Sequence, residues 1–255
     1  SDEDLAGLRE LTAAIHANDS PVFAQLNHAG SAAKEEVTGR VPLAPSALKH
    51  PKAKDDRLPK AMTAQDLEKV IADFKEAARR AQAAGFDGVE IHSAHGYLLN
   101  QFYSPLTNHR TDEYGGALEN RIRLHCQIIE AIRSQVGAEY PLALRLGACE
   151  GLANGSTVED AVSACVQFEK AGVDLIDITG GLGGYVRPGH SEQGYFQDFS
   201  TAVKQAVSIP VLLTGGITEA AAADALLQSG KADLIGVGRA LLKDSDWAKN
   251  AVCAF

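Results

Sequence analysis

Six short apolar runs rich in Val, Ile and Leu punctuate the chain, at residues 21–26, 88–92, 141–147, 174–179, 210–214 and 233–237. Runs of this length and makeup predict strands buried on both faces. Between them, apolar residues return every three or four positions over 2–18, 64–84, 119–136, 158–171, 198–206 and 219–228, which predicts helices. Several open on a capping box, Ser1 with Asp4, Thr63 with Asp66 and Thr157 with Asp160. There a hydroxyl and a carboxylate satisfy orphan backbone N–H groups reciprocally. Alternation of strand and helix implies βαβ units and a parallel sheet.

A doubly wound sheet and a (β/α)8 barrel both satisfy that alternation. The chemistry separates them, because polar groups stand near the C-terminal ends of many different strands, as in a barrel whose active site is assembled from all its βα loops. The glycine-rich Gly180-Gly181-Leu182-Gly183-Gly184 does not read G-x-G-x-x-G and opens no helix at once. The expected fold is α/β, a TIM (β/α)8-type barrel in one domain over 1–255, incomplete, with about six of eight βα units. Remaining length lies in connections at 29–62, 102–118 and 180–197, and connections so long are usually functional or disordered.

Composition narrows the class without naming a function. A chain of 255 residues, 45% hydrophobic and 22% charged, is that of a globular protein with a substantial core. The formal charge of -9 weighs against nucleic acid as a partner. No apolar run approaches the ~18 residues of a membrane span, and no basic-then-apolar leader opens the chain, so no membrane association is expected and the cytoplasm is the expected location. The basic cluster at 49–60 also contains Asp55 and Asp56 and reads as a solvated loop. Cys126, Cys149, Cys165 and Cys253 form no C-x-x-C pair, which argues against a disulfide framework, a zinc ribbon or a cluster site.

The densest chemistry is Val89-Glu90-Ile91-His92-Ser93-Ala94-His95-Gly96-Tyr97, where an apolar strand ends in two histidines and a tyrosine. His92 and His95 reach one ligand if the chain turns after Ser93. Metal binding is the weakest reading, since zinc needs a third ligand and no H-E-x-x-H helix is present. A structural role ranks above it, and substrate binding is the strongest of the three. Tyr97, considered alone, reads as a packed tyrosine with a hydrogen-bonded hydroxyl. Gln25 sits on an otherwise apolar strand, where its amide must find partners. Arg145 lies inside Pro141-Leu142-Ala143-Leu144-Arg145-Leu146-Gly147, and a buried cation needs an anionic or polar partner, either a ligand or a strand carboxylate such as Asp177. Gly215 and Gly216 follow one strand, Gly238 and Arg239 the next. That placement fits a barrel phosphate site, in which glycines admit phosphate to backbone N–H groups and arginine adds a charged contact.

With Arg110-Thr111-Asp112-Glu113-Tyr114-Gly115-Gly116 and Glu119-Asn120-Arg121, the histidine motif resembles the Old Yellow Enzyme family of FMN-dependent oxidoreductases, from Ser1 to about Trp247. The resemblance implies FMN as cofactor, NAD(P)H as reductant and a small activated alkene as substrate. It implies that His92 and His95 bind the substrate carbonyl or nitro oxygen, and that Tyr97 protonates the α carbon. By the same resemblance Gln25 pairs with the flavin pyrimidine edge, Arg145 approaches N1 and O2, and the glycines with Arg239 hold the phosphate. His28 then holds a loop, and Ser31 stands where the family often has arginine. The strand at 21–26 corresponds to the family's third, so its first two βα units are expected to be absent from this chain. The Arg110-to-Arg121 string is read as a brace; Tyr103, Tyr185, Arg187 and His190 either line the substrate mouth or, the favoured reading, are ordinary loop residues. A homo-oligomer is compatible with all of this. Two rivals stand beside the ene-reductase reading: a phosphate-binding barrel isomerase or lyase, and a non-catalytic barrel fragment.

Overall fold

Each expected βαβ unit forms in the computed structural model, which describes residues 1–50, 53 and 56–252. Lys52, Lys54 and Asp55 of the basic cluster, and Cys253, lie outside the described residues. The strands are β1 (Phe23–Leu26), β2 (Leu43–Ala44), β3 (Lys60–Ala61), β4 (Gly88–Ser93), β5 (Leu142–Gly147), β6 (Leu175–Thr179), β7 (Val211–Leu213) and β8 (Leu234–Ile235). The helices are α1 (Leu5–His16), α2 (Glu35–Thr38), α3 (Ala64–Ala83), α4 (Leu98–Tyr103), α5 (Leu118–Arg121), α6 (Arg123–Val136), α7 (Val158–Ala171), α8 (Gln197–Lys204), α9 (Ala220–Gln228), α10 (Arg239–Lys243) and α11 (Trp247–Val252). Six strands make one wholly parallel sheet in the order β1, β4, β5, β6, β7, β8, and β2 and β3 pair separately. Among the described residues β1 and β8 do not pair with each other, so the barrel wall stays open at two edges.

The sheet's two faces differ, which corrects the expectation of strands buried on both. One face carries Val89, Ile91, Leu142, Leu144, Leu146, Ile176, Ile178, Val211 and Leu213, all at or near zero exposure in one continuous apolar core. Burying each such side chain contributes roughly 1.5–3 kcal/mol. Helices cover this face: α6 lies between α3 and α7, presenting Leu124, Ile128, Ile129 and Ile132 to the core. The capping boxes at Thr63 and Thr157 form and fix the starts of α3 and α7, whereas Ser1 and Asp4 cap a single turn of 3-10 helix. Along the opposite face run Gln25, Glu90, His92, Arg145, Asp177 and Leu212, neighbours in the strand register. Strand residues alternate between faces, so apolar runs long enough to look uniform conceal a polar inner row.

Three elements depart from the periodicity. The helix expected over 119–136 breaks at Ile122 into α5 and α6. The connection at 29–62 contains α2, β2 and β3. Helix α4 runs into the connection expected at 102–118, and all six of its residues are buried. A helix with no polar face leaves no amphipathic signature. Tyr103 is therefore a core residue, its hydroxyl donating to the Ala148 carbonyl at 3.2 Å.

Candidate active site

Strand β4 aims His92 at the inner face, and the chain then turns through Ala94, His95 and Gly96 into α4. His95 (φ +61°) and Gly96 (φ +81°) are both left-handed. For a histidine that conformation costs on the order of 1–2 kcal/mol, strain of a kind that collects at functional sites. The turn brings the His92 and His95 rings to 5.1 Å between centroids and leaves the Tyr97 ring 5.4 Å from His92. Nε2 of His95 lies 3.1 Å from the Thr179 hydroxyl. His92 is 3% exposed with its Nδ1 unpartnered. Burial, aided by the nearby Arg145 charge, pushes its pKa down to about 4, so the ring is neutral near pH 7. The hydroxyl of Tyr97 has no hydrogen-bond partner among the described residues.

Beside this turn lies a row of charge. Arg145, in register with His92, places Nε 3.1 Å from Asp177 Oδ2. The alignment is too poor for a hydrogen bond, leaving Arg145 Nε and Asp177 Oδ1 buried and unsatisfied. The ion pair foreseen as the alternative for Arg145 thus exists without exhausting the guanidinium. Burial raises the Asp177 pKa well above the carboxylate range, against the pull of Arg145 and with the Glu90 charge adding to the rise. Burial likewise raises Glu90, opposed by the hydrogen bond from Gln25 and by Arg145. Gln25 Nε2 donates to Glu90 Oε2 at 2.5 Å, so the partner its amide requires is a carboxylate one strand away.

Arg145 and His95 open onto a cleft of about 880 Å³ that Gly215, Gly216, Gly238 and Arg239 also line. Its size is that of a small-molecule or cofactor site. Gly216 (φ +69°) packs on Tyr195 so closely that a Cβ there would sit 2.5 Å from the ring. The Tyr195 hydroxyl accepts from Arg239 Nη2 at 2.9 Å and donates to the Tyr185 carbonyl at 2.6 Å. Tyr185, Arg187 and His190, expected as ordinary loop residues, all line this cleft. Gln25 does not. It borders a separate recess of about 230 Å³ with His28 and residues of α3, because β1 is the sheet's edge and β4 stands between it and Arg145.

The Arg110-to-Arg121 segment is a scaffold in hydrogen-bond terms. Arg110 donates to the Pro45 and Met62 carbonyls, Asn108 to those of Phe102 and Tyr114, and Arg121 to those of Tyr103 and Gly116 and to Asp160. His28 also braces, its Nδ1 accepting from the Gly30 N–H at 3.1 Å. Sequence reasoning missed Glu90, although it lies two residues before His92 and therefore on the same face of β4. It also missed Thr179 and Tyr195, whose roles come from partners distant in sequence. Among the described residues no cluster of three His, Cys, Asp or Glu side chains is arranged for a metal ion, and no helix is long and apolar enough to cross a membrane.

An open parallel barrel wall with a histidine pair at one strand end and a glycine-lined cleft beyond the last strands is the architecture of an α/β-barrel protein with its candidate site at the C-terminal ends of the strands. The chain belongs to the NADH:flavin oxidoreductase / NADH oxidase family, whose profile matches residues 1–252. It is 37% identical over 255 residues to an NADH oxidase of Thermoanaerobacter brockii, covering 98% of this chain and 39% of that protein. With an NADPH dehydrogenase of Halalkalibacterium halodurans it shares 41% identity over 251 residues, covering 98% and 72%. The solved structure of the old yellow enzyme homologue from Zymomonas mobilis superposes with a TM-score of 0.84 at 28% identity, over 100% of this chain and 73% of that one. The chain thus spans well under half of the oxidase and under three quarters of the other two. The family and the fold, part of a TIM-type barrel, agree with the resemblance seen in the motifs.

FMN, the cofactor this family implies, fits the residues present. Arg145 retains an unsatisfied buried donor, the Gly215-Gly216 turn and Gly238 leave backbone open at the cleft, and Arg239 supplies a cation beside them.

Proposed function

We propose that the site is that of an FMN-dependent ene-reductase using NAD(P)H to reduce an activated alkene, such as an enone, a nitroalkene or a dienoyl-type compound. The observation that carries this reading is the convergence of His95 and Tyr97 on the ring of His92, with His95 lining a cleft suited to a phosphorylated cofactor. Arg145, Gly215, Gly216, Gly238 and Arg239, which line the cleft, and Gln25 from the neighbouring recess would hold FMN, which when bound supplies the hydride taken from NAD(P)H.

The chain's own residues do the rest. His92 is neutral and buried, so it donates a hydrogen bond from one ring nitrogen to a carbonyl or nitro oxygen without carrying a charge of its own. His95, steadied at Thr179, supplies the second donor. Donors already aimed at an oxygen on which negative charge develops stabilise the transition state more than the ground state. Tyr97, its hydroxyl unengaged, delivers a proton to the α carbon. The reading carries with it a cytoplasmic enzyme with a small-molecule substrate, and either a monomer or a homo-oligomer accommodates the site.

Replacing Tyr97 with Phe tests the assignment. The alkene half-reaction should slow by roughly 100- to 10,000-fold, the size of a lost general acid, while reduction of the flavin by NAD(P)H changes little. Equal slowing of both half-reactions in stopped-flow traces would refute the role of Tyr97 as proton donor.

A further inference from the structure

One buried side chain joins the two segments that the proposed function assigns to different ligands. Gln101, 1% exposed in α4, donates from Nε2 to the Gly96 carbonyl at 2.6 Å and accepts at Oε1 from the Ser31 N–H at 3.1 Å. Gly96 lies between His95 and Tyr97. Ser31 ends the stretch that leads from Gln25 through His28. The amide therefore spends its donor on the turn between His95 and Tyr97 and its acceptor on the loop that follows Gln25 and β1, an arrangement an apolar side chain of equal size cannot reproduce.

The surroundings are fitted to that bridge. Gly30 (φ +61°) approaches so closely that a Cβ would stand 2.5 Å from Gln101 Oε1. The Gly96 N–H donates to Asn100 Oδ1 at 2.8 Å, His50 Nε2 lies 3.0 Å from the Gly96 carbonyl, and the Leu98 N–H donates to the His28 carbonyl at 3.0 Å. Both groups of the Gly96 peptide are thus engaged, and the left-handed His95 beside it has its backbone held in place. A turn so secured keeps His95 and Tyr97 oriented before any ligand arrives.

We propose that Gln101 is a positioning residue that locks the loop following β1 to the His95–Tyr97 turn, so that flavin binding and binding of the substrate oxygen are coupled through one amide. Resting on the function proposed above, this adds a linkage: each ligand preorganises backbone that the other uses, and the coupling is reciprocal.

Two variants test it, with one readout that needs no flavin. In the apo protein, Gln101→Leu should speed hydrogen exchange of the Ser31 amide by roughly 10-fold or more, the scale of a broken buried hydrogen bond. Wild-type protection of Ser31 in a folded Gln101→Leu protein would overturn the bridge. In the FMN-loaded holoenzyme, Gln101→Glu is titrated with a para-substituted phenol by its charge-transfer band. Protonated, the introduced carboxyl can donate to Gly96 and accept from Ser31 as the amide does; ionised, it offers only acceptors. Phenol affinity relative to wild type should be close to one at low pH and fall roughly 10-fold as pH rises, with FMN affinity falling in parallel. His50, the titratable side chain at the same carbonyl, would couple to the introduced carboxyl, so the ratio is measured in a His50→Gln background as well. A pH-independent ratio, or loss of phenol affinity with FMN affinity unchanged, would overturn the coupling. Failure of the wild type to bind flavin even with two further βα units supplied would refute the ene-reductase reading instead, leaving the exchange result to decide on Gln101.

Discussion

The centre of the sheet and its edges are built to different standards. In β4, β5 and β6 the helix-facing residues are fully buried, and the inner face supplies His92, Arg145 and Asp177 in adjacent register. At the edges, β1 and β8 are short, and their inner-face apolar residues Phe23 and Leu234 are 41% and 44% exposed. The histidine pair and Tyr97 belong to the centre. Gln25 belongs to an edge. Substrate chemistry therefore stands on the covered centre of the sheet, while Gln25, one of the expected cofactor contacts, stands on an edge strand.

The largest effect expected from this contrast is on flavin binding. Six parallel strands do not close a barrel, and an open parallel edge invites pairing with another chain. Residues 1–255 expressed alone should bind FMN poorly and associate, and two further parallel βα units supplied in cis or in trans should restore tight binding. Equilibrium dialysis with FMN beside light scattering reads both. A monodisperse 255-residue chain holding one FMN per protomer would erase the distinction between centre and edge.

What the sequence made legible follows the same division. The βαβ alternation, the three capping boxes and the histidine turn depend on residues close in sequence, and they were readable. The polar inner row was only half visible: Arg145 and Gln25 stood out as polar residues in apolar runs, but Glu90 sat unremarked beside the more conspicuous His92. Helix α4 was hidden because all its residues are buried. The Gln101 bridge, the Tyr195 contact with Arg239 and the separation of Gln25 from the cleft were not readable, since the first two join residues 70 and 44 positions apart and the third depends on strand order. For Gln101 the relevant separation is the 70 residues to Ser31.

A second way to sharpen the contrast uses acid. On the outer face of β4, His125 is fully buried, with Nε2 2.8 Å from Ser93 Oγ and its ring stacked on Phe168. Burial holds its pKa down to about 3, against ~6.5 for an unfolded histidine. The unfolded state therefore binds one more proton than the folded state between those values. Stability from this group is fully present above pH ~6.5 and is lost as pH falls towards 3, at up to ~1.4 kcal/mol per pH unit. In a barrel completed as above, His125→Gln should flatten the dependence of stability on pH across that window in urea titrations. An unchanged slope would mean that the acid sensitivity resides elsewhere than in the sheet's centre. Glu90 and Asp177 act with the opposite sign, since burial raises both carboxyls and favours their protonated forms in the fold.

The smallest of these effects probes the inner face of the same strand. His92→Ala removes one of the two donors proposed for the substrate oxygen, at a position whose outer-face neighbour, Ser93, keeps its contact with His125. The cost should therefore fall on ligands and not on the fold. Phenolate ligands and enone turnover should weaken together by roughly 10- to 100-fold, the value of a hydrogen bond to a charged oxygen, because both place partial negative charge at the same point. Flavin affinity should change far less, since in the proposed site the cofactor is held by Arg145 and the glycine turns. Charge-transfer titration against a phenol series, with steady-state enone reduction on the same preparation, measures the two losses side by side. Unchanged phenol affinity together with stoichiometric zinc in the wild type would overturn oxygen binding by the pair and favour a metal site instead.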